Sequence, residues 1–141
     1  MENKNNALVI AEENAIMGNE EFYCSFNATT PEEKAQLFEI MNNPAERLAD
    51  NINKTIYVKD VYCEIVDCVN EETGEVTKAP RVVLIDKNNV GYQAVSTGIF
   101  SAVKKLFMIY GQPTWENPIA IEIKQIKKGK KSLLTFNIKT N

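Results

Sequence analysis

The side chains of this sequence that could do chemistry fall into three sets: carboxylates, thiols and amines. Asp60, Glu64 and Asp67 recur along one β-branched run. On a shared face they could hold two divalent cations for phosphodiester cleavage. The apolar alternation slips near Asp60 and splits their faces, so a two-metal nuclease site is not expected. Cys24, Cys63 and Cys68 show no paired metal-binding spacing, and an odd count gives no disulfide framework. Cys63 and Cys68 lie in an apolar run and read as small buried hydrophobes. The chain has no histidine, the usual acid–base residue and commonest metal ligand. It also has no glycine loop that would cradle a phosphate. No enzyme, cofactor or metal is expected. The amines remain: "EIKQIKKGKKSLLTFNIK" over residues 122–139 gathers Lys124, Lys127, Lys128, Lys130 and Lys131 around Gly129. Such a turn either binds an anion or keeps a strand edge soluble.

Charge along the chain bears on that choice. Residues 1–53 hold 3 Lys/Arg against 10 Asp/Glu, residues 54–86 hold 4 against 7, and residues 87–141 hold 9 against 2. An acidic front and a basic back sum to a formal −3, and the shape of that field matters more than its total. At 141 residues the chain is long enough for one domain with a sizeable core. No stretch approaches the roughly 18 apolar residues of a membrane span, and the start does not read as a signal peptide. With cysteines too few and too scattered to cross-link, a reducing cytoplasm and no membrane partner are expected.

The elements that must position these groups follow from periodicity and caps. Residues 1–21 read as a flexible arm with two short apolar patches, "ALVI" and "AIM". Residues 22–141 read as a single domain. "EFYCSFNA" (21–28) is a short strand, and "TTPEEKAQLFEIMNNP" (29–44) is a helix. Thr30 caps it, Pro31 fills its first turn, and Glu33 completes a capping box. Residues 45–53 add a short turn or helix. From Lys54 a long strand runs to Asn70, with a phase slip near Asp60 that a bulge would produce. A turn at Thr73-Gly74, the strand "RVVLID" (81–86), a "KNN" turn and the strand "VGYQAV" (90–95) follow. Residues 96–111 form a helix capped by Ser96 or Thr97 and stopped at Gly111. Strands over 119–126 and 132–139 close the chain. Ile119, Ile121, Ile123, Leu134, Phe136 and Ile138 are expected to face the core. The order over 54–139 is three strands, a helix, then two strands. A ferredoxin-like fold would begin strand–helix–strand instead. The expected fold is mainly β with helices: a five-stranded oligonucleotide/oligosaccharide-binding (OB) barrel, with the helix between its third and fourth strands and the 22–53 strand and helix in front.

On "IYVKDVYCEIVD", "TGEV", "RVVLIDKNNVGYQAVS", "GIFSAVKKLFMIYG" and the final lysine-rich hairpin, residues 54–139 resemble the single-stranded DNA-binding proteins of Gram-positive phages. They are also similar to the counterparts of those proteins on conjugative plasmids. The resemblance implies an OB barrel that coats single-stranded DNA during replication or transfer, with replication or transfer proteins as further partners. Self-association through the arm is suggested by the acidic front, the basic back and "ALVI". An assembly or adaptor role through protein contacts, or single-stranded RNA binding, stays open. A single-strand binder needs cations along a groove and rings for base stacking. The cations expected are Lys124, Lys127, Lys128, Lys130 and Lys131, with Lys59, Lys87 and Arg81. Tyr57 and Tyr62 should point outward on either side of the slip. Of Tyr92 and Gln93, one faces out, and Tyr92 is the preferred one. Trp115 reads as a core plug.

Overall fold

The computed structural model describes residues 22–140. Thr30 begins helix α1 (Pro31–Asn42) as its sequence predicts. Its hydroxyl accepts from the Glu33 backbone N–H at 3.1 Å, and the Glu33 carboxylate accepts from the Thr29 and Thr30 backbone N–H groups. Two donors that the first turn leaves orphaned are thus satisfied reciprocally. Before α1 lies the short strand β1 (Phe22–Cys24). After it come a two-residue strand β2 (Glu46–Arg47) and a 3₁₀ turn (Leu48–Asn51).

Strand β3 (Thr55–Val69) organises the sheet. One edge pairs with β4 (Val76–Asp86). The other is shared: Thr55–Val58 pair with β6 (Ile119–Lys128), and Tyr62–Glu64 pair with β1. The register with β4 shifts between Val58 and Asp60, so the bulge falls where the alternation slips. It lets Ile56 and Val58 before it, and Val61 and Cys63 after it, all bury in one core. A bulge also increases local twist, and here the bent strand passes from one neighbour to the next along a single edge. β4 begins at Val76, earlier than the predicted 81. Pro80 sits inside it, opposite Ile65.

β5 (Gly91–Val95) pairs with β4, and α2 (Thr97–Tyr110) follows. The β6–β7 hairpin (β7 Lys131–Ile138) completes the sheet, whose order is β2-β5-β4-β3-β6-β7. The core lies inside the curl, where Leu84, Ile121, Ile123 and Phe136 meet Ile99, Val103 and Leu106 of α2. Each such side chain contributes roughly 1.5–3 kcal/mol on burial.

The expected closed five-stranded barrel is not formed: the sheet is a curled, partly open half-barrel with OB-like topology. Closure would pair β5 with β7, but β2 takes the free edge of β5 in a parallel pairing, Glu46 opposite Tyr92. α2 fills part of the seam. A Cβ on Gly98 would collide with the Leu134 carbonyl oxygen, so only glycine lets the first turn of α2 lie against the β7 backbone. A second, smaller cluster covers the outer face, where Ile40 of α1 packs on Tyr62, Val83 and Ile85. Gly91 admits this layer: a Cβ there would sit 3.1 Å from both Ile40 and Val83 side chains.

Candidate nucleic-acid interface

The β6–β7 hairpin carries its lysines into open solvent. Lys128 pairs with Lys131 across a two-residue turn, Gly129-Lys130, and Gly129 takes φ 64° as such a tight turn requires. Lys127, Lys128, Lys130 and Lys131 are exposed. Lys124, nearer the sheet, bonds to Asn53 at 3.2 Å and lies 3.6 Å from Glu122. Part of its charge is therefore answered within the fold.

Beside this hairpin, an open groove of about 780 Å³ follows the seam between β5 and β7. Hydroxyls of Thr77, Ser96, Thr97 and Ser132 line it, together with Gln93 and Arg47. Aliphatic walls come from Ala79, Ala94, Val95, Leu133 and Leu134. Ser132 follows Lys131 directly, so the lysine tip borders the groove. Among the described residues, no aromatic ring lines it. Little in the sequence pointed to these residues. Their one signal was strand order, which brings the third and fifth barrel strands toward each other.

The expected aromatic platforms are sorted by the structure. Tyr57 is 45% exposed, with the Lys87 ammonium 4.6 Å from its ring centroid. Lys59 sits at the bulge, 3.3 Å from the Asp60 carboxylate and 4.9 Å from the Phe26 ring centroid. These pairs form a cation–aromatic patch on the outer face. Ala120 is opposite Tyr57, and Lys128 lies eight residues further along β6. That is roughly 26 Å of strand, so Tyr57 and the lysine tip are not one spot.

Tyr62 does not serve as an outward ring. It points to the outer face as its phase predicts, but α1 covers that face and leaves it 4% exposed. Burial, then the bond its hydroxyl donates to Glu64 at 3.0 Å, pushes its pKa far above the ordinary value. Tyr92, preferred over Gln93 in the sequence, turns inward. It packs on the core opposite Leu84, and its hydroxyl donates to Asp86. Its pKa is raised by burial and by that carboxylate. Gln93 is the member of the pair that lines the groove. Arg81 donates to Glu64 at 2.9 Å and, through two nitrogens, to Gln93, with its side chain only 13% exposed. Its charge is compensated before any phosphate arrives.

The three strand carboxylates are likewise engaged separately. Asp60 is buried and accepts from Ser25 at 2.8 Å and Thr114 at 2.5 Å, tying β1 and the 112–118 loop to the bulge. Glu64 holds Arg81, and Asp67 accepts from Lys78 at 2.6 Å. Among the described residues, no group of three or more His, Cys, Asp or Glu side chains could hold a metal ion. None of the described helices is long and apolar enough to cross a membrane. Trp115 plugs the core, edge-on to Phe107.

The family described as phage single-stranded DNA-binding protein matches residues 17–139, which include every described strand and both described helices. No curated protein and no solved structure matches the chain. A curled OB-like sheet, an exposed lysine hairpin beside an open groove and this match agree: the chain belongs to the phage single-stranded DNA-binding protein family and is a non-enzymatic single-stranded nucleic-acid-binding protein.

Proposed function

We propose that the protein coats single-stranded DNA, without sequence preference, in phage or plasmid replication or conjugative transfer within the cytoplasm. Lys127, Lys128, Lys130 and Lys131 contact phosphates, and the seam groove takes unstacked bases against its aliphatic walls. Tyr57, with Lys87 and Lys59, offers a stacking platform further along the strand. Lys124 and Arg81 act chiefly by holding their neighbours. The observation that carries this reading is four exposed lysines bordering an open groove in a protein of this family. Bases in a duplex are stacked and paired, so the groove walls favour a single strand over a duplex. The arm, residues 1–21, lies outside the described residues. Its acidic charge and apolar runs support docking on a neighbouring copy along the DNA.

Fluorescence anisotropy with matched single-stranded DNA, duplex DNA and RNA across a salt series tests the proposal. Tight, salt-sensitive binding to single-stranded DNA, weaker on duplex and on RNA, is expected. Equal affinity for RNA would remove the DNA preference, and salt-independent binding would remove the phosphate contacts.

A further inference from the structure

A second apolar surface adjoins the nucleic-acid groove and shares Leu133 and Leu134 with it. Met108, Ile109 and Tyr110 end α2 at 83%, 76% and 46% exposure, and Ile126 and Leu133 face solvent on the hairpin. A groove of about 450 Å³ runs between α2 and this hairpin, with Lys105 on one wall and Lys128 on the other. Contiguous exposed apolar surface of this kind marks an interaction site. The flanking lysines ask for an occupant that is both aliphatic and acidic.

Residues 1–21 have that chemistry. "ALVI" at 7–10 and "AIM" at 15–17 flank Glu12-Glu13, and the segment carries five glutamates against one lysine. It also joins the fold at the right place. β1 starts at Phe22, the Tyr23 ring lies 5.4 Å from that of Phe107, and the Tyr23 hydroxyl bonds to Gln112. The segment therefore enters beside the last turn of α2 on its Phe107 side, and it rounds the helix end to reach the groove. The two apolar runs are about eight residues apart, roughly 25 Å when extended. The 14-residue α2 is about 21 Å long.

We propose that residues 7–17 occupy this groove of their own molecule when no nucleic acid is bound. Ile16 seats near Ile109 and Tyr110, Leu8 reaches the Leu133 end, and Glu12 and Glu13 face Lys105 and Lys128. The docked segment screens one flank of the lysine hairpin, so a nucleic-acid strand must displace it. Displacement frees the same segment for a neighbouring copy. The docked state concerns the free protein and does not depend on the coating role.

Hydrogen exchange on the full chain without nucleic acid tests this, at concentrations where sedimentation shows a monomer. The comparison is between wild type, the arm variant Leu8→Asp/Ile16→Asp and the groove variant Ile109→Asp. All three positions lie on the arm or at an exposed site, and circular dichroism checks the fold. Amides over 126–128 and 131–134 should exchange roughly ten-fold faster in both variants. Affinity for an oligonucleotide too short for two copies should rise several-fold in both. Identical exchange in the three proteins overturns the docking. Protection that grows with protein concentration places the arm on another molecule and also overturns it. Unchanged short-site affinity overturns the screening of Lys128. The wild-type affinity measured in the same series shows separately whether the nucleic-acid reading stands.

Discussion

Tyr57 and Tyr62 lie on one strand, both turned from the core, yet only Tyr57 keeps an exposed ring. Tyr57→Ala should weaken single-strand binding by about 1–3 kcal/mol, roughly 5- to 150-fold, because a stacked base is worth that much. Tyr57→Phe should retain most of the affinity, since the ring face does the stacking; anisotropy against one oligonucleotide separates the three proteins. Tyr62→Phe is the contrasting change. It removes the hydroxyl that donates to Glu64 but keeps the ring beneath α1. Stability should fall by about 0.5–1.5 kcal/mol in urea, with nucleic-acid affinity unchanged. A loss of binding in Tyr62→Phe comparable to that in Tyr57→Ala would mean the cover over Tyr62 opens in the complex. The alternation revealed the side on which each tyrosine lies. It could not reveal that a helix some twenty residues upstream returns to cover one of them, because that contact is long-range.

Helix α1, which makes that cover, rests on a capping box whose acid is titratable. The Glu33 carboxyl is held down to about 2 from its ordinary 4.5, first by the Thr30 backbone N–H, then by the Thr29 backbone N–H and hydroxyl. A depressed carboxyl pKa stabilises the fold fully above the unfolded value, and that contribution is lost as pH falls from about 4.5 toward 2. Thermal melts at pH 5 and pH 3 should show a smaller acid-induced drop in Glu33→Gln than in wild type; equal drops would mean that the cap does not govern acid stability. At the seam, Gly98→Ala must push α2 away from the Leu134 carbonyl, at a cost of about 1–3 kcal/mol. Urea unfolding measures this directly, and an unchanged midpoint would show that the helix end is not held there. The caps and the bulge were legible because each is written in a few adjacent residues: Thr30 with Glu33, and the slip between Val58 and Val61. The open seam was not. Two residues, Glu46 and Arg47, take the β5 edge, and a pairing that short leaves no periodic trace. The early start of β4 is hidden in the sequence for a related reason. Pro80 and a polar run argue locally against a strand, whereas pairing along the long β3 overrides them.

The front-to-back charge asymmetry of the sequence survives folding, because the cations answered in the fold pair with carboxylates of their own segment. Arg81, Lys59, Lys78 and Lys124 each lie within 4 Å of a carboxylate. The hairpin is different: Lys127, Lys128, Lys130 and Lys131 are exposed, and among the described residues no carboxylate forms an ion pair with them. Exposed amines neutralising phosphates release counterions, with a slope in log affinity against log salt of about −0.7 per contact on single strands. Four contacts from this hairpin therefore predict a slope near −3, to which Lys87 can add. Lys130→Glu with Lys131→Glu should shallow the slope by about 1.4 and weaken binding to every sequence alike. The turn is solvent-exposed and Gly129 is untouched, so the fold should survive, as an unchanged melting curve would show. If the double variant kept the wild-type slope, the phosphates would have to lie elsewhere. The outer patch of Tyr57, Lys59 and Lys87 is another place where an exposed ring and an amine meet. In that case Lys87→Glu should produce the loss of slope that the hairpin variant did not.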